Sequence, residues 1–436
     1  MKNNIKWFCV SLCLVNFAYA AAPSVVSIMP SIQPTSCATS TTNNCTATIV
    51  PNAQLLAAPG TTVPFQIQVN QAAYPNFTFY PPIFARDDET QPTQHVYCDN
   101  VSVTGSGTSY TATVTVPTYS CILSAVVVGT YSLYSPPASI AADGNGNLWF
   151  TEPESNTSQI GVFSPGTGKV TQYPVAGGVA TNLINDPSNN ILWFNEKNNK
   201  ALYSIDSNGN ITAHPLPTLQ AAPNLITLRS NGNVWFTEQI GGQFGNFDLL
   251  NNTTSEYTLK PAPLTPVQAI VVGPEPDNSL WFLYRSFTDM TVAKFNPGDQ
   301  TLSTCILPMM SDGITAGLDG NLWLMESPNE NSSRIGVMTP AISTTSCPIS
   351  AQYPIYDPIA FMNNQIISAP EGSYYLWFTG LMGNQGGVIL STTTSGTIAA
   401  YQLPFSNGPL AGMTFDKNGN LWFVAQNKTH YYIGVL

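Results

Sequence analysis

The chain has 436 residues, of which only 8% are charged, and a formal net charge of −11. An acidic surface repels phosphates and anionic headgroups, which excludes nucleic acid and anionic membrane surfaces as partners. Hydrophobic residues make up 43% of the chain, enough for a core, and the length calls for two domains.

Lys2 and Lys6, the apolar stretch from Trp7 to about Val15, and the small-x-small triplet Ala18-Tyr19-Ala20 form a signal peptide over residues 1–20. The expected location is secreted or periplasmic. The apolar core is too short to span a bilayer and no later run is long enough, so no membrane span is expected after signal removal. Residues 21–125 are rich in Pro, Thr, Ser and Ala. Phe65-Gln66-Ile67-Gln68-Val69 and Tyr110-Thr111-Ala112-Thr113-Val114-Thr115-Val116 alternate as half-buried strands do. They predict a small β-sandwich-like domain, immunoglobulin-like in one version.

Residues 126–436 are read as a seven-bladed β-propeller. Trp149, Trp193, Trp235, Trp281, Trp323, Trp377 and Trp422 each follow Leu or Val, and these seven account for every Trp outside the signal peptide. The first unit sets the pattern. Ser139 to Ala142 is strand a, Leu148 to Glu152 strand b, Ile160 to Phe163 strand c and Val170 to Pro174 strand d, with Gly/Asn/Pro turns between them. Four short strands in a repeat of this length make a propeller blade. The Trp is read as packing between neighbouring sheets. Asp143-Gly144-Asn145-Gly146-Asn147 and Asp416-Lys417-Asn418-Gly419-Asn420 lack the distal Glu of a calcium loop and read as turns needing positive φ. The seventh unit ends after strand c, and residues 126–134 resemble a strand d without a blade. They are expected to complete blade seven, because an open sheet edge is a liability.

Six cysteines follow the signal: Cys37, Cys45, Cys98, Cys121, Cys305 and Cys347. An even number in an exported chain implies disulfides. Proximity favours Cys37–Cys45 and Cys98–Cys121, with Cys305–Cys347 left over, but the sequence leaves the connectivity open.

Three residues after the Trp stand Glu152, Glu196, Glu238 and Glu326, with Tyr284, Gly380 and Ala425 in the other blades. Strand b ends there, on the face that carries the b–c and d–a loops. These residues mark the expected ligand-binding face. The four carboxylates could hold Mg2+ or Ca2+, or could instead brace loop backbone.

The unit containing Leu148-Trp149-Phe150-Thr151-Glu152, then Ile160-Gly161, together with Asp319-Gly320-Asn321-Leu322, resembles the streptogramin (virginiamycin) B lyase family over residues 135–436. The resemblance implies a seven-bladed propeller and a magnesium-assisted elimination that opens a cyclic depsipeptide at its ester bond. Such chemistry needs a base for the proton α to the ester carbonyl and a cation for the developing oxyanion. Family members carry His in the segments leading into strand a. Here those segments begin at Pro137, Ala180, Pro223, Pro266, Ser311, Asp357 and Gly408, and none contains His. The three histidines, His95, His214 and His430, read as surface or structural. Asp312 and Asp357 are the carboxylates of the lead-in segments and the candidate substitute bases. The leading expectation is an exported, monomeric propeller that binds a small molecule, glycan or protein on its b–c/d–a face. The alternative is a Mg-dependent lyase or hydrolase with a rearranged site.

Overall fold

The computed structural model describes residues 26–33, 47–50, 55–57, 62–69, 77–80, 84–86, 101–106, 109–115 and 121–435, the last with short internal omissions. Omitted there are 154–157, 177, 197–200, 219–221, 240–241, 275, 277, 288, 330–331, 344, 356–358, 371–374, 383–386, 397, 404–409 and 427–430. The signal peptide, Cys37, Cys45, Cys98, His95, Asp357 and His430 lie outside the described residues, as do the side chain of Cys121 and the two pairings expected in the first domain. The chain divides into two compact units, Met1–Val127 and Val128–Leu436.

The first unit is all-β where it is described. Ala47–Val50, Thr62–Val69, Ser109–Thr115 and Val101–Ser106 form one antiparallel sheet in that order. Val26–Gln33 pairs antiparallel with Leu55–Ala57 and parallel with residues 121–126.

The second unit is a seven-bladed β-propeller. In blade 1, strands a to d are Ser139–Ala142, Leu148–Glu152, Gln159–Ser164 and Lys169–Pro174, all antiparallel neighbours. Blades 2 to 6 repeat this meander with strands b at Ile191–Glu196, Val234–Glu238, Leu280–Ser286, Leu322–Asn329 and Tyr375–Met382. Blade 7 supplies Gly412–Phe415, Leu421–Gln426 and Tyr431–Val435. The innermost strands contact one another in succession, and the first also contacts the last, which closes the ring.

The outer strand of blade 7 comes from ahead of blade 1. Residues 129–133 pair antiparallel with Tyr431–Val435, placing Tyr131 opposite Ile433. Tyr173, Tyr257 and Tyr353 hold the same register place in blades 1, 3 and 5. Each ring lies 5.9–6.1 Å from its blade's tryptophan, and Tyr131 lies 6.4 Å from Trp422.

The core sits between blades. Trp149 packs with Leu192 and Phe194 of blade 2, Trp193 with Val234 and Phe236 of blade 3, and Trp235 with Leu280 and Phe282 of blade 4. The pattern follows from strand parity. Side chains alternate faces, so the Trp of strand b points to the next blade and its flanking Leu and Phe to the previous one.

The recurring a–b turns have a second job. Asp143 Oδ1 accepts from the N–H groups of Asn145 and Asn147 at 2.8 and 2.9 Å, and Oδ2 accepts from Asn147 Nδ2 and from the Trp149 indole at 2.9 Å. Asp416 repeats the arrangement with Trp422, again at 2.9 Å. Asp186 and Asp319 serve Trp193 and Trp323 at 3.4 and 3.1 Å. Gly146 and Gly419, at φ 87° and 81°, supply the left-handed residue that each turn needs. Cys305 and Cys347 form a disulfide between strand d of blade 4 and the chain ahead of strand d of blade 5.

Candidate functional site

The strand-b glutamates sit two residues beyond the apolar residue that follows Trp, and so share its face. Phe150, Phe194, Phe236 and Leu324 are fully buried, and Glu152, Glu196, Glu238 and Glu326 are each at most 2% exposed. They point between sheets, not into an open rim.

Blades 1 and 5 engage their own carboxylate from strand d. Gln172 Nε2, on strand d of blade 1, donates to Glu152 Oε2 at 2.6 Å. Gln352 Nε2 does the same for Glu326 Oε2 in blade 5 at 2.8 Å. Gly336 makes room for that reach: a Cβ there would meet Glu326 Oε1 at 2.5 Å. Glu196 accepts from the Val179 N–H and so braces the d–a connection. Blade 3 breaks the pattern, because Glu256 stands where Gln172 and Gln352 stand. Burial and the facing Glu256 carboxylate push Glu238 up to about 7. Glu238 Oε1 and Glu256 Oε1 are both buried without a hydrogen-bond partner, while Glu256 Oε2 accepts from Thr218 Oγ1. Burial also raises Glu326, against the Gln352 hydrogen bond and the Arg334 charge. Tyr284, the blade 4 counterpart, is fully buried with its hydroxyl unpartnered, and burial raises it.

Of the two expectations for these carboxylates, holding a cation or bracing backbone, the contacts follow the second at Glu196. The four glutamates lie in separate blades: Glu152 and Glu326 bond to strand d, Glu196 bonds to the d–a connection, and Glu238 faces Glu256. Among the described residues no three His, Cys, Asp or Glu side chains come together. The donor set does not fit Mg2+ or Ca2+, which need several oxygens converging on one point.

The lead-in segments carry the polar groups that do meet. Strand a is bulged in blades 2, 3 and 5, between Ala180 and Leu183, Pro223 and Ile226, and Ser311 and Gly313. A bulge re-aims side chains at a strand end. Asn182 Nδ2 donates to the Asn224 carbonyl of the next blade, and Asn224 Nδ2 donates to the Val267 carbonyl of the one after, at 3.4 Å. Asn195 Nδ2 donates to the carbonyls of Pro223 and Asn224 at 2.7 and 3.1 Å. A run of amides thus links blades 2 to 4 around the inner strands. Gln268, in the same segment of blade 4, has its Oε1 buried and unpartnered. Asp312 occupies the bulge of blade 5, accepts from Ser327 Oγ at 2.7 Å, and is raised above the usual carboxylate range by burial.

Sequence reasoning placed Asp312 correctly in a lead-in segment but did not single out Asn182, Asn224 or Gln268. Their common place in the repeat was the available signal. His214 lies on outer strand d of blade 2, bonded to Ser204 Oγ at 2.9 Å and packed on Trp193 and Phe247. Burial lowers its pKa.

Residues 126–296 match the Virginiamycin B lyase family. A streptogramin B lyase structure is 26% identical with a TM-score of 0.58, covering 71% of this chain and 96% of that one. The propeller is virginiamycin B lyase-like. A catalytically inactive variant of virginiamycin B lyase from Staphylococcus aureus, solved with quinupristin, is 25% identical with a TM-score of 0.57, covering 71% of this chain and 99% of that one. A virginiamycin B lyase of Nocardia farcinica is 27% identical over 139 residues, which are 32% of this chain. The chain spans about half the length of that curated relative, 47% of it. The virginiamycin B lyase-like scaffold therefore carries amides and one raised carboxyl, Asp312, in its described lead-in segments. No helix among the described residues is long and apolar enough to cross a membrane.

Proposed function

We propose that this is an exported, virginiamycin B lyase-like propeller that binds a ligand on its b–c/d–a face without histidine-based catalysis. The observation that carries this is the lead-in chemistry. The segments that the family resemblance associates with His hold Asn182, Asn224 and Gln268 instead. Amides hydrogen-bond a ligand well and are poor proton acceptors. Three of the four carboxylates at the ends of strand b, Glu152, Glu196 and Glu326, already accept hydrogen bonds from the protein, which favours recognition over chemistry on this face. A small molecule, a glycan or a protein segment rich in amides fits it, and export follows from the signal-like residues 1–20. Calorimetric titration with quinupristin tests the face. Saturable binding that weakens at least tenfold in Asn224→Ala supports the reading, and equal binding by both proteins contradicts it.

A second reading, an ester-opening lyase, rests on Asp312. It is a carboxyl raised by burial in a lead-in segment, and raised carboxyls suit general-base work near neutral pH. Turnover that disappears in Asp312→Asn would favour it.

A further inference from the structure

The a–b and c–d turns lie on the face opposite the strand-b glutamates. In blades 1, 2, 5 and 7 an aspartate of the a–b turn accepts the tryptophan indole N–H. Blade 3 has Arg229 in that place. Its backbone N–H bonds to the Asn233 carbonyl just as those of Asp143 and Asp416 bond to Asn147 and Asn420. The indole of Trp235, a side chain 2% exposed, is left with no acceptor, and the buried Arg229 Nε also has none. A buried donor without an acceptor loses the hydrogen bond it would have in water, so each such group calls for a partner. Trp281 Nε1 is unpartnered too, but Gly273 backs directly onto it.

Trp235 and Arg229 line a pocket of about 350 Å³ between blades 3 and 4. Its origin is local. At two other junctions a c–d turn glycine closes on the tyrosine of the preceding blade. A Cβ on Gly209 would lie 2.0 Å from the Tyr173 ring, and one on Gly396 would lie 2.1 Å from the Tyr353 ring. Gly298 makes no such approach to Tyr257; the nearest atom to its Cβ position is Asn296 Oδ1 at 3.3 Å. The gap left over Tyr257 is the pocket.

Its chemistry is one-sided. Asn231 and Asn296 use their Oδ1 atoms to accept the N–H groups of Asn233 and Gly298, so each has its Nδ2 donors to offer. With the Arg229 guanidinium, three residues offer donors, while the Trp235 indole N–H lies buried behind them, and no acidic residue lines the pocket. This occurs in a chain of net charge −11.

We propose that the pocket binds a carboxylate-bearing sugar, a hexuronate or a glycan ending in one. The carboxylate pairs with the guanidinium end of Arg229, the residue that stands where Asp143 and Asp416 stand in blades 1 and 7. The amides of Asn231 and Asn296 and the hydroxyl of Ser255 meet the ring oxygens, and Tyr257 walls the site. The pocket has room for one pyranose ring. It is on the opposite turn face from the site proposed above and does not depend on it.

Titration of the full chain with glucuronate, glucose and acetate, followed by calorimetry, tests the proposal. Saturable binding of glucuronate is expected, at least tenfold tighter than glucose or acetate. Arg229→Asp supplies the internal carboxylate of the sibling blades; it should abolish glucuronate binding while its thermal midpoint holds or rises. Arg229→Gln, which removes the charge without adding one, should weaken binding at least tenfold. No saturable glucuronate binding by the unaltered protein, equal binding of acetate, or unchanged affinity in both variants would overturn it.

Discussion

Replacing Glu256 by Gln should stabilise the propeller at alkaline pH and leave it nearly unchanged near pH 5. In blades 1 and 5 a Gln amide donates to the buried glutamate of strand b, whereas in blade 3 a carboxylate faces a carboxylate. Burial, and then the Glu256 charge, raise Glu238 from the ordinary 4.5 to about 7. The folded protein therefore holds a proton that the unfolded chain releases above about pH 4.5. That contribution is fully present below 4.5 and is lost as pH rises through about 7. Each pKa unit is worth about 1.4 kcal/mol, so the loss is capped at roughly 3 kcal/mol, and screening by nearby water reduces it to about 2 kcal/mol. Glu256→Gln removes the smaller, Coulombic part of that shift, leaves the burial part, and supplies the missing donor, for a gain of at most similar size. At about 2–4 °C per kcal/mol, the thermal midpoint should rise by roughly 4–8 °C at pH 8.5 and by under about 2 °C at pH 5. Scanning calorimetry of both proteins across this pH range reads the difference. An equal shift at both pH values, or a fall at pH 8.5, would refute the argument that the two carboxylates oppose each other.

Asp416→Ala removes four hydrogen bonds at once, from the Asn418 and Asn420 backbones, Asn420 Nδ2 and the Trp422 indole. It should cost about 2–4 kcal/mol and lower the denaturant midpoint, with the Trp422 indole proton losing its bonded chemical shift. Deletion of residues 126–134 strips the outer strand from blade 7 and should lower the thermal midpoint by roughly 10 °C or more; an unchanged melting curve would argue against ring closure by this segment. Reduction of Cys305–Cys347, which closes a separation of 42 residues, should cost about 2–4 kcal/mol, seen as a lower midpoint in dithiothreitol.

The propeller was legible because its repeat is a packing unit. A Trp must meet a Leu/Phe pair on the next blade, so Trp149 through Trp422 and their Leu and Phe neighbours recur together. The closing segment was legible for the same reason, since Tyr131 stands where Tyr173, Tyr257 and Tyr353 stand. The role of the glutamates was left open between holding a cation and bracing backbone, although the parity of strand b carried their direction. Glu152 is two residues from Phe150 and must share its buried face. Other features depend on contacts between blades that no local pattern reveals. The bulges at Asn182, Asn224 and Asp312 each shift register by one residue, and the gap over Tyr257 exists only because Gly298 sits differently from Gly209 and Gly396. Nor did the turn motif alone disclose the Asp–Trp hydrogen bond. Only the exchange of Asp for Arg229 makes the pocket in blade 3 stand out.

In the proposed function this chain keeps a lyase-like scaffold while its strand-b carboxylates serve inside the propeller, leaving a face that binds. The most direct measurement is mass spectrometry of quinupristin after incubation with the pure protein and Mg2+. The account predicts that quinupristin is recovered at unchanged mass however long the incubation. A linearised product that accumulates beyond one equivalent of protein and vanishes with EDTA would contradict it.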